Sequence, residues 1–356
     1  MLEYGDNTDM PTFQIQKVIN IFGLTVSRNA LIQAEKAGTI PASTRENRGS
    51  IKARAWDLRD LPAIGERYGF LGKFTRPQIM AVFSAKGGVL KTTLALNIAR
   101  AAALHNIKTC VVGLDIQGDI TKAMGVSQEA DEEIDLSTAI SRTTTFLSLA
   151  DVYAGRASID EAVLTSPDLP TLSLVPETSG LASLDVHLMS QPRREYWLSE
   201  NVLEPLRERF DLVLMDCSPS WSQITSNALV GCDVLVSPLE TKINHFRNYV
   251  EFAGFIEEFE RVMRIEHPKI FVPTRFNSTR KLCVEIRNWY LANVPGCTTA
   301  AIRESVTGEE AMSMCLSVPE FQPSGVAANE MRDLLREIWS RLPVRESKPI
   351  DNAAAA

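Results

Sequence analysis

The segment Lys86-Gly87-Gly88-Val89-Leu90-Lys91-Thr92-Thr93 concentrates lysines, glycines and hydroxyl groups within eight residues. Glycines let backbone N–H groups close on an anion, and a helix that opens behind them aims its positive dipole end at the same place. In such a cradle Gly87, Gly88, Val89, Leu90 and Thr93 line the phosphates and Lys91 stands beside the β- and γ-phosphates. The Thr92 hydroxyl reaches a magnesium ion. A glycine-rich turn with no ligand is the alternative. A carboxylate suited to the same metal ends the run Leu212-Val213-Leu214-Met215-Asp216, where a strand would deliver Asp216 to the magnesium shell. Asp115 ends a second apolar run, Thr109–Leu114; by itself it is either a turn former or a second catalytic carboxylate.

These groups need a scaffold. An apolar β run (Ile79–Phe83) precedes the cradle, and an alanine-rich helix follows it as far as Leu104. Further buried strands are expected at Thr109–Leu114, Leu172–Val175, Phe210–Met215, Cys232–Glu240 and Lys269–Thr274, alternating with helical patterns. That alternation predicts an α/β fold with a mostly parallel sheet flanked by helices. Residues 126–200 are the least informative; a polar loop begins at Asp131, and helical patterns run from Ile134 to Leu164. Ala327–Leu342 is amphipathic and predicted to pack on the core.

The general pattern G-x-x-x-x-G-K-S/T fails here, because Ala85 and Leu90 occupy the two glycine positions. The deviant form K-G-G-x-G-K-S/T-T fits at every place except Leu90, and the stretch resembles the ParA/MinD family of deviant P-loop ATPases. In that family the extra lysine, here Lys86, reaches across a dimer interface to the partner's nucleotide. Asp115-Ile116-Gln117-Gly118-Asp119-Ile120-Thr121 is similar to the family's D-x-D-P-Q-G-N-x-T from its second aspartate onward, with Gly113 at the first. The resemblance makes Asp115 the residue that positions the attacking water and contacts the magnesium shell. Asp216-Cys217-Ser218-Pro219-Ser220 matches D-T/C-x-P-S, and Thr274-Arg275-Phe276-Asn277 is similar to T-R-Y-N beside the adenine. Asn277 is therefore a candidate base contact; an ordinary turn is the other reading. The family's I-P-R segment is altered at Arg303 and Glu304. Leu90 stands where the family's glycine is free to take a positive φ, which costs a leucine about 1–2 kcal/mol.

Residues 1–68 read as helix (from Pro11), glycine break (Gly23), helix (Arg28–Lys36), arginine-rich β turn (Thr44–Trp56) and closing helix. This order is similar to the winged helix-turn-helix of MerR-type regulators. It makes Arg28, Lys36, Arg45, Arg48, Lys52 and Arg54 candidate phosphate contacts, with a dimerisation or partner-binding cap as the alternative. A linker is expected at 69–78, the ATPase domain at 79–342 and a tail at 343–356. Arg275, Arg280, Lys281, Arg287 and Arg303 form either a second basic face, with Arg280 and Arg303 as DNA contacts, or a solvated surface.

The resemblance implies a weak Mg2+-dependent ATPase that works as a switch. ATP closes a homodimer, the dimer binds DNA non-specifically, and a ParB-like partner stimulates hydrolysis during plasmid or chromosome segregation. The N-terminal module would add operator binding. A DNA-binding regulator with a scaffold-only P-loop, and a positioner of non-DNA cargo, are the alternatives.

Composition bounds these readings. Among 356 residues, 45% are hydrophobic and 23% charged, as in a globular protein. The net charge of −7 argues against a nucleic-acid coat over the whole surface while leaving room for a local basic face. The six scattered cysteines read as free thiols in a reducing cytoplasm, and the four histidines lie at no metal spacing. The acidic N-terminus lacks the marks of a signal peptide, and the mixed-charge C-terminal helix lacks a basic membrane-binding cluster. A cytoplasmic, nucleoid-associated protein without a membrane partner is expected.

Overall fold

The computed structural model describes residues 12–48, 51–126 and 146–345. Of the helical patterns expected from Ile134 to Leu164, the part before residue 146 lies outside the described residues, as does the tail from 346 onward; the rest holds two short helices, Leu149–Tyr153 and Ile159–Ala162.

The chain begins with β1 (Thr12–Gln14), α1 (Ile15–Phe22), α2 (Arg28–Lys36), β2 (Thr44–Arg48), β3 (Ile51–Asp57) and α3 (Leu61–Tyr68). The three strands form an antiparallel sheet in the order β1-β3-β2. Gly23 ends α1 with φ 56°, and the Ser27 hydroxyl caps α2 by accepting from the Ala30 N–H. Residues 12–14 of the helical pattern read from Pro11 form a strand instead: Phe13 pairs with Trp56 across β1 and β3, and both rings are buried. The helix opens at Ile15.

The second sheet follows. Its strands are β4 (Gln78–Val82), β5 (Thr109–Leu114), β6 (Leu164–Thr165), β7 (Leu172–Val175), β8 (Leu212–Cys217), β9 (Val234–Glu240) and β10 (Lys269–Thr274), in the order β10-β9-β4-β8-β5-β7-β6. Every pairing is parallel except that of the short edge strand β6 with β7, which sequence reasoning did not foresee. Neighbouring residues on a strand face opposite ways, so near-continuous apolar strands fill two cores. Met80, Val82, Val111 and Leu214 join one cluster, with α4 (Lys91–Leu104) and α9 (Val326–Ser340). Ile79, Ala81, Val112 and Met215 join the other, with α5 (Gly180–Leu188), α6 (Gln223–Gly231), α7 (Ile243–Met263) and α8 (Lys281–Asn293). The C-terminal amphipathic helix packs as expected, with Met331, Leu334, Leu335, Ile338 and Trp339 buried. No helix among the described residues is long and apolar enough to cross a membrane.

The N-terminal piece shares the first apolar cluster with the main sheet. Gly65 on α3 packs so tightly on the end of α4 that a Cβ there would lie 2.0 Å from the Leu104 carbonyl oxygen. Residues 69–77 form no helix or ladder strand, yet Leu71 and Phe74 are buried and Phe74 stacks on Trp339.

His105, buried at the same junction, reads out this packing. Its Nδ1 donates to the Ala101 carbonyl at 2.7 Å and its Nε2 accepts from the Phe70 N–H at 3.1 Å, which fixes a neutral ring. Burial holds its pKa down at about 4. The folded ring thus resists a proton that an unfolded histidine accepts near pH 6.5, so stability falls as pH drops from about 6.5 to about 4 and is unaffected above that window. At pH 4.5 the loss is about 2–3 kcal/mol. Urea unfolding of wild type and His105→Gln at pH 7 and 4.5 checks this. Equal acid losses in both proteins would assign the effect elsewhere.

Candidate functional site

β4 is a central strand, and the chain turns sharply beyond its C-terminal end before α4 begins at Lys91. Gly88 takes φ 73°, and a Cβ on Gly87 or Gly88 would meet nothing within 4 Å, so the turn is open on its outer side. Leu90 has φ 71° and ψ 33°, the left-handed conformation expected of this position, and it enters α4 with no side-chain cap. The first N–H groups of α4 are therefore available to an anion. The Leu90 side chain lines a cleft with Thr93, Ile302, Arg303, Ala327 and Met331. Lys91 is buried, and its Nζ donates to the Lys86 carbonyl at 3.1 Å. Burial lowers its pKa against the opposing charges of Asp216 and Asp115. The Lys86 side chain is exposed.

The sheet order converges the carboxylates. Asp216 on β8 lies in register with Val82 on one side and Gly113 on the other. Asp216 is 1% exposed, and neither carboxylate oxygen makes a well-formed hydrogen bond. Burial raises its pKa to about 7, while the neighbouring Thr92 hydroxyl and Lys91 charge favour its ionised form. A buried carboxylate with orphaned oxygens beside a lysine and a threonine hydroxyl suits a cation. Among the described residues no cluster of three or more His, Cys, Asp or Glu side chains could cage a metal. The donor set suits Mg2+, which keeps waters and takes one or two protein ligands alongside substrate phosphates.

Asp115 begins a tight turn in which its Oδ1 accepts from the Gln117 N–H at 3.1 Å. Behind it sits Glu177, which sequence reasoning passed over. It follows β7, is 3% exposed, and accepts from the Asp115 N–H at 3.1 Å and the Thr121 hydroxyl at 3.2 Å. Burial and then the charge of Asp216 raise its pKa to about 8. The available signal was Gly113, since a glycine inside a buried strand marks a close approach.

Other expected site residues are distributed as follows. Asn277 follows β10; its Oδ1 accepts from the Thr279 N–H and hydroxyl, forming a turn. Arg275, read as part of either a basic face or a solvated surface, donates from Nε to the Gly88 carbonyl at 2.9 Å and lies 3.7 Å from both Glu240 and Glu304. Arg303 forms a two-pronged ion pair with Glu330, and Arg287 donates to the Thr299 carbonyl. Arg280 remains exposed at the start of α8. In the N-terminal piece Arg28, Lys36 and Arg45 are exposed, whereas Arg54 pairs with Glu35 at 2.8 Å. Arg28, Arg45 and Arg54 line one groove with Gln14 and Gln16. Arg48 and Lys52 fall on the hairpin strands, and their side chains lie outside the described residues.

The model of the AAA_31 family, an AAA domain, matches residues 77–266, just over half of the chain. The chromosome partitioning protein ParA of Caulobacter vibrioides is 26% identical over 278 residues, covering 76% of this chain and 97% of that protein. The cell division protein PomZ of Myxococcus xanthus is 25% identical over 343 residues, covering 94% of this chain and 95% of that protein. A putative plasmid partition protein from Borrelia burgdorferi, solved bound to AMPPNP, superposes with a TM-score of 0.61 at 19% identity, covering 75% of this chain and 100% of that one.

Proposed function

The chain belongs to the AAA_31 family of ParA/Soj-like P-loop ATPases, and from that premise we propose that it is an ATP-driven dimerising switch for segregating or positioning DNA. The observation that carries this reading is Asp216, a buried carboxylate with no well-formed hydrogen bond, beside Lys91 and Thr92 at the mouth of the open turn. Gly87, Gly88, Val89, Leu90, Lys91, Thr92 and Thr93 bind the phosphates of ATP, and Asn277, in the turn after β10, is the candidate base contact. Mg2+, held through Thr92, Asp115 and Asp216, would supply charge neutralisation of the phosphates. Lys91 stabilises the charge that develops on the transferred group, and Asp115 orients the attacking water. The partner subunit's Lys86 completes the site, so ATP closes the dimer and hydrolysis reopens it. The exposed position of Lys86 supports this.

The antiparallel sheet, Ser27-capped helix and arginine-lined groove of the N-terminal piece support a winged helix-turn-helix that contacts DNA phosphates through Arg28, Lys36 and Arg45. Arg54 orders that groove through Glu35. The closed dimer binds DNA non-specifically at the nucleoid, and a ParB-like partner stimulates hydrolysis. The similarity to PomZ, a cell division protein, spans nearly the whole chain and supports a second reading, in which the switch serves a process other than DNA segregation.

Light scattering after size-exclusion chromatography tests the switch, on wild type and Asp115→Ala, with no nucleotide, ADP and Mg-ATP. The expected result is a monomer that dimerises only with ATP and stays dimeric in Asp115→Ala. An unchanged mass in all states would reject ATP-driven dimerisation.

A further inference from the structure

Gly113 sits inside β5 and is flanked by aliphatic residues, yet it has no room for a side chain. A Cβ built there would lie 2.2 Å from Glu177 Cγ, 2.7 Å from its Cδ and 3.0 Å from its Oε1. The volume that a residue on β5 would fill is occupied by a carboxylate delivered from the end of the neighbouring strand β7. That carboxylate gathers the donors of a single turn. Its Oε1 accepts from the Asp115 N–H at 3.1 Å, and its Oε2 accepts from the Thr121 N–H at 3.3 Å and the Thr121 hydroxyl at 3.2 Å. The tie is reciprocal, because the Glu177 N–H donates to the Thr121 hydroxyl oxygen at 2.9 Å. Both ends of the Asp115–Thr121 segment are thus fastened to one buried side chain. Gly118, between them, has φ 72° and open space around it.

We propose that Glu177 is the positioning residue of the hydrolysis site, a carboxylate that fills, from the end of β7, the volume a side chain on Gly113 would take, and holds Asp115 where it can orient water. The proposal rests on the reading of Asp115 given above. Glu177 itself touches neither nucleotide nor water in this scheme; it acts through the Asp115–Thr121 backbone. An apolar side chain in its place would leave the buried Thr121 N–H and the half-buried Asp115 N–H without an acceptor, and the segment would open to find water instead.

Two measurements on wild type, Glu177→Ala and Gly113→Asp/Glu177→Ala test this. The first is amide hydrogen exchange without nucleotide. The peptide spanning 115–121 is expected to exchange at least ~10-fold faster in Glu177→Ala, with the 109–114 strand unchanged, and to recover in the double variant. Unchanged exchange in Glu177→Ala would overturn the proposal. The second is steady-state ATP hydrolysis. Glu177→Ala is expected to lose about 10- to 100-fold in kcat with KM for ATP within about threefold of wild type, and the double variant to regain most of that loss. Equal kcat in wild type and Glu177→Ala, or a double variant no better than Glu177→Ala, would refute the positioning role of a carboxylate in this volume. If wild type hydrolyses no ATP, the functional reading fails on its own, and the exchange experiment still decides whether Glu177 holds the segment.

Discussion

Lys91→Ala is expected to lower ATP hydrolysis by about 10²–10³-fold, the usual cost of removing one preorganised group that stabilises charge in the transition state. Its ammonium is buried at the start of α4, faces Asp216 and Asp115, and is held by the Lys86 carbonyl. The replacement removes the fixed positive charge that stands where the β- and γ-phosphates are expected. It also leaves Asp216, already poor in hydrogen bonds, without its nearest counter-charge. Asp216→Asn is expected to act in the same direction by weakening the magnesium shell. Phosphate release at saturating Mg-ATP, with calorimetric titration of nucleotide binding, checks both variants. Hydrolysis in Lys91→Ala within threefold of wild type would mean that the turn is a scaffold, and the regulator reading would take over.

Arg100→Ala is expected to destabilise the fold by about 3–5 kcal/mol, because it strands a buried charge. Arg100 is on α4, beyond the glycine-rich turn, and its guanidinium grips Glu320 through two bonds of 2.7 Å. Both side chains are almost fully buried, at 6% and 0% exposure. Burial pushes the Glu320 pKa up, but Arg100 and the Ser317 hydrogen bonds outweigh it and hold the carboxylate below its usual range. The neighbouring Asn97 accepts from the Val318 N–H on the same face. Together these bonds fasten the P-loop helix to the short segment Val318–Phe321, close to the cleft that Thr93 and Val318 share. Replacing both partners by leucine is expected to recover much of the loss, since no charge is then left unpaired. Urea unfolding of the single and double variants decides; a cost below about 1 kcal/mol for Arg100→Ala would mean that water reaches Glu320.

Much of the site is written locally, and those parts were legible. The turn between β4 and α4 depends on which residues have side chains and which have none, so its glycines and lysines identify it without tertiary knowledge. The positive φ of Leu90 follows from the same local pattern and is present at 71°. Helix α2 starts and stops where its Ser27 cap and its periodicity place it. The parallel sheet follows from apolar runs alternating with helices, and Asp216 falls at a strand end for the same reason.

The remainder depends on which distant segments meet. Arg275 and Arg303 read as either a basic face or a solvated surface because charge in a sequence carries no address. In the fold one grips the Gly88 carbonyl and the other is paired with Glu330. Residues 69–78 read as a linker from their glycines and proline, but Leu71 and Phe74 are drawn into the shared core. Glu177 is the sharpest case: it lies 62 residues from Asp115 and becomes its neighbour only because β7 pairs with β5. The amino-acid sequence alone determined the open glycine-rich turn, the carboxylate at the end of β8 and the layered α/β scaffold, since those rest on backbone freedom and periodicity within a few residues. Only the tertiary structure decided which buried charges are paired and what braces Asp115, because sheet order sets those contacts.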